Sequence, residues 1–168
     1  TVGDDVRIFT SGSHTYPDTA GVGAHWEVLT PADASSTWDA ETYETAMTFI
    51  YDENQESKIT EMQSSYVEFT VDTGDSVTIQ ADLFTPYNPR ITASRLYCRI
   101  SGSDDNWILL AEVHFSKGIR SNLDDEYTSG FTAESTSNQY HSAIVTSLRE
   151  NLDTYETING RSSSIKSI

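Results

Sequence analysis

Residues 65–84 read Ser65-Tyr66-Val67-Glu68-Phe69-Thr70-Val71, then Asp72-Thr73-Gly74-Asp75, then Ser76-Val77-Thr78-Ile79-Gln80-Ala81-Asp82-Leu83-Phe84. Val67, Phe69 and Val71 share one side of an extended chain, and Tyr66, Glu68 and Thr70 share the other. Beyond the turn, Val77, Ile79, Ala81 and Leu83 repeat the pattern. Side chains of a strand alternate between its faces. A two-residue apolar period on both sides of a turn therefore predicts a β-hairpin with one buried face. Pro86 and Pro89 follow and end the ladder, because proline has no N–H to contribute.

The same period recurs on either side. Residues 6–10 and 25–29 read as short strands, and residues 11–24, with Gly12, Pro17, Gly21 and Gly23, as a long loop. Residues 31–44 are polar, a loop or brief helix with Trp38 isolated in it. Met47, Phe49 and Tyr51 line one face of residues 45–51. Residues 93–101 place Leu96, Cys98 and Ile100 against Arg95, Tyr97 and Arg99. Residues 102–106 are a polar turn. Residues 107–115 place Trp107, Leu109, Ala111, Val113 and Phe115 together. The opposite face starts apolar (Ile108, Leu110) and ends polar (Glu112, His114), so this strand is expected to be central and half covered on its second face. Residues 116–137 are loop-rich, with a short strand expected at 127–132.

Residues 140–155 support two readings. Tyr140, Ile144, Leu148, Leu152 and Tyr155 suit one helix face, with Ser137 or Asn138 as cap, and Ile144, Thr146, Leu148 also alternate as a strand. The helix is the slightly favoured reading. Six to eight strands with hairpins and long loops predict an all-β fold, an antiparallel β-sandwich or single jelly roll with a possible C-terminal helix. With 168 residues and 18.7 kDa the chain suits one domain. We expect residues 1–158 to form a single β-sandwich domain and the Ser-rich residues 159–168 a mobile C-terminal arm.

Charge narrows function. Asp and Glu number 26 and Lys and Arg 10, a net charge of −16. A direct nucleic-acid binder needs clustered cations and is excluded; docking on an anionic membrane is disfavoured. Eighteen aromatic residues (nine Tyr, six Phe, three Trp) exclude a disordered acidic tail. Lys occurs three times, and Ser and Thr make 43 residues. Self-repulsion of such a surface fades when molar salt shortens the screening length to about 3 Å.

Motifs for chemistry are missing. His14, His25, His114 and His141 form no metal-ligand spacing. Cys98 sits on the inward side and reads as a small buried hydrophobe, and one cysteine gives no intramolecular disulfide. Ser11-Gly12-Ser13-His14 reads as a solvated loop, and no Gly-x-Ser-x-Gly or phosphate-binding loop occurs. Asp4-Asp5, Asp104-Asp105 and Asp124-Asp125-Glu126 fit no calcium-loop pattern and read as solvated surface. We expect no enzyme activity, no catalytic or metal site and no cofactor. Trp38, in a polar segment, is the candidate for exposure and for an interface or ligand contact, as an anchor in a protein interface or a stacking platform for sugar.

The strand pattern of residues 45–115 together with the acidic, Lys-poor, Thr-rich composition resembles a small jelly-roll capsid protein of an icosahedral virus infecting halophilic archaea. No short motif carries the resemblance, so it implies no functional residue. It does imply a virion structural protein with copies of itself and other virion proteins as partners. It further implies capsomers packed edge to edge with barrels upright over an internal lipid membrane. With no signal peptide in Thr1-Val2-Gly3-Asp4-Asp5, synthesis in the host cytoplasm and residence in the virion are expected. A carbohydrate- or receptor-binding sandwich is the alternative.

Overall fold

The turn at residues 72–75 carries the chain between two sheets. In the computed structural model, which describes residues 8–10, 23–30, 32–61, 68–84, 89–129, 132–133, 139–145 and 153–159, the chain is mostly β with one short helix. The strands are β1 (Ile8–Thr10), β2 (Gly23–Leu29), β3 (Thr42–Tyr51), β4 (Gln55–Glu56), β5 (Thr60–Glu61), β6 (Glu68–Thr70), β7 (Val77–Phe84), β8 (Ile91–Ile100), β9 (Ile108–His114), β10 (Gly118–Arg120), β11 (Thr128–Ser129), β12 (Thr132–Ala133) and β13 (Gln139–Val145). The helix α1 is Tyr155–Ile158. The first sheet runs β1-β2-β7-β13-β12, and the second runs β11-β10-β9-β8-β3-β4 with β5 and β6 also on β3. All pairings are antiparallel except β1 with β2.

The expected hairpin of residues 65–84 does not form. Glu68–Thr70 pairs with Thr42–Glu44 of β3 in the second sheet, whereas β7 pairs with β2 and β13 in the first. The turn is real: Asp75 N–H donates to the Asp72 carbonyl at 3.0 Å, and Gly74 takes φ +86°, which a side chain would strain. A strand-like contact between Ala32 and Asp75 and a 2.5 Å bond from Asp33 N–H to the Gly74 carbonyl hold it against the β2–β3 connection. Phe69, Val71, Val77 and Ile79 are all buried in one core, but from opposite walls. Alternation reports which face is buried, not which strand lies alongside.

That core lies between the sheets. Trp26, Val28, Val77, Ile79 and Ala81 of the first sheet meet Met47, Phe49, Leu96, Cys98, Leu110 and Val113 of the second. A second cluster of Ala46, Tyr97, Trp107, Leu109 and Tyr155 covers the outer face of the second sheet. The two-sided burial expected of β9 is therefore observed, with one change. The β8–β9 register shifts between Leu96, opposite Ala111, and Tyr97, opposite Leu109. Leu110 is the extra residue, and this bulge moves the inward face from Ile108 and Leu110 to Ala111 and Val113. Trp107 and Leu109 consequently lie outside, not on one face with Val113 as the spacing predicts.

The favoured helix over residues 140–155 is corrected at residues 140–145, and residues 146–152 lie outside the described residues. Gln139–Val145 is strand β13, in register with Val77–Leu83 of β7. A helix there would leave the β7 backbone unpaired along that edge, and the β-branched Ile144 and Val145 favour extension. Among the described residues helix appears only at α1, where the Thr154 hydroxyl caps Thr157 N–H at 3.2 Å and Thr157 Oγ1 accepts from Thr154 N–H at 3.0 Å. Ser137, Asn138, the loop of residues 11–22 and residues 160–168 of the expected arm lie outside the described residues. Among the described residues the pairings trace no closed barrel and no jelly roll.

Candidate functional site

Strand alternation turns Arg95, Tyr97 and Arg99 of β8 and Glu112 of β9 onto the outer face of the second sheet. Antiparallel register then sets opposite charges side by side. Arg95 faces Glu112, Glu44 faces Arg99, and Arg120 of β10 faces Glu112. The Glu112 carboxylate accepts from Arg95 Nε at 2.6 Å, from Arg120 Nη2 at 2.6 Å and Nε at 2.9 Å, and from the Tyr127 hydroxyl at 2.5 Å. Glu56 accepts from Arg95 Nη1 at 2.7 Å, Asn159 Nδ2 at 2.8 Å, and the Thr48 and Tyr97 hydroxyls at 2.5 Å each. Arg120 also donates to the Leu123 carbonyl. Both carboxylates are about 3% exposed and both are saturated with donors.

The electrostatics follow the geometry. Burial pushes the Glu112 carboxyl up, but the Tyr127 hydroxyl and the Arg95 and Arg120 guanidiniums outweigh it and hold the group below the usual carboxylate range. Burial, then the Glu56 carboxylate, push the Tyr97 hydroxyl far up. Burial and Glu112 do the same to Tyr127. General acid catalysis at neutral pH needs a carboxyl held protonated. Glu112 is held ionised instead. Two carboxylates and two guanidiniums cancel, and the network ties β4, β8, β9, β10 and α1 into one surface.

A second group lies at the β3–β4 turn, where Asp52 and Glu53 take φ of 50° and 70°. Asp52 pairs with Arg90, Nη2 to Oδ2 at 2.5 Å, and the Glu53 carboxylate meets His114 Nε2 at 3.2 Å and Lys117 Nζ at 3.5 Å. The His114 bond holds the Glu53 carboxyl below its usual value. These contacts pin a turn whose backbone non-glycine residues resist.

Trp38 is not the exposed aromatic that its polar setting predicts. It is 7% exposed, edge-on to Tyr43 at 5.2 Å and to Phe69 at 6.0 Å between centroids. Polar neighbours in sequence say nothing about a side chain that the loop folds inward. Its edge still borders a pocket of about 340 Å³ at the end of the second sheet, with Tyr43, Ile100, Ile108, Asp39 and Asp105 also in the wall. Arg99 lines it too, held by Glu44 at 2.5 Å and lying 4.2 Å over the Trp107 ring. Ile100, expected on the inward side with Cys98, is instead 40% exposed at this rim, where β8 runs past the start of β9.

Cys98 is fully buried, and burial pushes its thiol well above its ordinary value. His114 is buried in the Glu53 group. His14 and the side chains of His25 and His141 lie outside the described residues, as do Asp4 and Asp5. The acidic groups at Asp104 and Asp124 are exposed. The Glu112 network is the feature that sequence reasoning missed; its signal was Arg95 and Arg99 on one strand face and Glu112 on the polar end of the next. Among the described residues no helix is long and apolar enough to cross a membrane. No family model, curated protein or solved structure matches the chain.

Proposed function

We propose that the chain is a structural subunit of a salt-adapted virus particle, a capsid protein that assembles with copies of itself and with other virion proteins. The observation that carries the reading is the Glu112 network. It spends the protein's best-placed ionisable groups on cross-linking one sheet face. A rigid two-sheet wall with acidic loops at its ends is what a shell component needs. The composition adds the salt adaptation, since −16 is tolerable in a crowded assembly only where ions screen it. The finer architecture we propose is an antiparallel sandwich; a jelly-roll order is not part of the proposal. Residence in the virion follows from the same reading.

The test is the native size of whatever holds this chain in source material kept at molar salt. Light scattering after size separation, with mass spectrometry to locate the chain, is expected to find it in a megadalton particle in many copies. A monomer or small oligomer would overturn the reading. The carbohydrate-binding alternative loses its main support with Trp38 inside the core.

A further inference from the structure

We propose that Asn159 is a latent modification site: its side-chain amide converts to a carboxylate when α1 leaves the second sheet, and the new charge then keeps α1 from returning. Of the asparagines in the chain, only Asn159 precedes a glycine. In such a pair the backbone nitrogen of the glycine attacks the asparagine Cγ. The Cγ–Nδ2 bond breaks, ammonia leaves carrying the glycine N–H proton, and a cyclic imide closes. Water then opens the imide at either carbonyl, which gives an aspartate or its β-linked isomer. Water is the co-reactant. Gly160 lies outside the described residues; its contribution is chemical, because a residue without a side chain leaves its nitrogen unshielded.

The docked state opposes that reaction in two ways. Asn159 Nδ2 donates to Glu56 Oε2 and to the Tyr155 carbonyl, both at 2.8 Å, which holds the amide in place. The backbone at Asn159 has φ −90° and ψ 10°. At that ψ the following nitrogen eclipses Asn159's own nitrogen and stands away from Cβ, whereas ring closure needs it on the Cβ side. Both obstacles last only while α1 is docked. A helix of four residues has too few internal bonds to persist alone. Docking depends on Tyr155, whose N–H donates to the Trp107 carbonyl at 2.8 Å, whose hydroxyl accepts from Ile59 N–H at 3.3 Å, and whose ring lies edge-on to Tyr97 at 5.8 Å. Leu109 N–H donates to the Asp153 carbonyl at 2.9 Å beside it.

The product cannot dock in the same way. The Glu56 side chain is 3% exposed, and its Oε2 takes Arg95 Nη1 at 2.7 Å as well as the Asn159 amide. With an acid at residue 159, an oxygen replaces the N–H that faces this carboxylate. Arg95 already serves Glu56 and Glu112, and Arg120 serves Glu112. The balanced network of two carboxylates and two guanidiniums thereby gains an unpaired negative charge. A buried charge without a partner costs far more than the hydrogen bond it displaces. Keeping α1 off leaves the Trp107 carbonyl and Leu109 N–H of β9 without their partners, an open strand edge. Opening that is reversible before the reaction becomes one-way after it.

Peptide mapping by mass spectrometry tests the first half in the full chain at molar salt and mildly alkaline pH, folded and in guanidinium chloride. Conversion at Asn159 should be at least about tenfold slower in the folded chain, because it proceeds through the open population alone. Tyr155→Phe, which keeps the ring and loses the hydroxyl contacts, should raise the folded rate. Equal rates folded and unfolded, or a folded rate unmoved by Tyr155→Phe, would overturn the protection. Hydrogen exchange at the Tyr155 amide, at neutral pH, tests the second half. Asn159→Asp should speed it by about tenfold or more, and Asn159→Ala, which only deletes the donor, by less. Adding Glu56→Gln should recover protection for Asn159→Asp and not for Asn159→Ala. Exchange in Asn159→Asp no faster than in Asn159→Ala, or not slowed by Glu56→Gln, would overturn the one-way release. So would an equal rise at the Ser94 amide, which reports the core rather than α1.

Discussion

The indole Nε1 of Trp26 donates to the hydroxyl of Ser94 at 3.1 Å, and both residues are fully buried. Trp26 lies on β2 and Ser94 on β8, so this bond joins the two sheets. Ser94 in turn donates to the Thr48 carbonyl at 3.0 Å, which leaves its oxygen free to accept the indole. A polar pair in an apolar core persists when every donor is satisfied. Ser94→Ala should cost about 1–3 kcal/mol, because the Trp26 N–H then stays buried and unpaired. Trp26→Phe with Ser94→Ala should cost less than the sum of the two single changes. Denaturant unfolding of all four proteins checks this; additive losses would mean the bond contributes nothing.

Glu112 should behave as the keystone of its sheet face. Glu112→Gln leaves Arg95 and Arg120 short of their shared negative partner in a site under a fifth exposed. Breaking one member of a buried pair of this kind costs about 3–5 kcal/mol. A loss below about 1 kcal/mol in urea unfolding would contradict it.

The same carboxyl sets a pH dependence. Its value is lower folded than unfolded, so its stabilisation is present above the ordinary carboxylate value and is lost as pH falls through the depressed one. Wild type should therefore lose stability on the acid side of about pH 4, and Glu112→Gln should lose less over the same window. Melting temperatures from pH 7 down to the acid limb give the comparison. Parallel curves would remove Glu112 from the acid response.

Trp38 should prove a core residue when it is cut back. Trp38→Ala removes a ring packed on Tyr43 and Phe69, and large-to-small changes of aromatic core residues cost about 3–5 kcal/mol. Circular dichroism and thermal melting should register that loss. A variant as stable as wild type would restore the exposed reading.

Salt should stabilise the fold. With a net charge of −16, the melting temperature should fall as NaCl is reduced from molar to millimolar, because self-repulsion is then unscreened. Far-UV circular dichroism unchanged across that range would remove the halophilic premise.

Much of the β framework was legible in the residues. Phe69, Val71, Val77, Ile79, Leu96 and Cys98 are buried as their alternation predicts, because a two-residue period and a one-sided core leave no other choice. The partner of each strand was not legible. Glu68–Thr70 and Val77–Phe84 carry the same pattern whether they pair with each other or line opposite walls. The Leu110 bulge was hidden for a related reason: an extra residue leaves no mark in the apolar pattern, but it puts Trp107 and Val113 on opposite faces. Trp38 misled because the polar residues around it in sequence describe a loop's surface and not the direction in which one ring turns. The Glu112 network needed the β8–β9 register, which places Arg95 opposite it.

The sheet change at residues 72–75 also governs how this chain finds its structure. Ala81 must meet Trp26, and Leu96 must meet Met47, each about fifty residues away in sequence. The β8–β9 and β9–β10 hairpins are local, but they do not join β3 to its sheet or β2 to β7. Here both central pairings wait on long loop closures that cost entropy before any contact repays them. Folding should run in milliseconds to seconds, as for other chains dominated by distant pairings. Because β2 and β7 pair in one sheet while β3 and β8, the strands that follow them, pair in the other, closing either pair shortens the loop left for the other, so the two long-range pairings should form together.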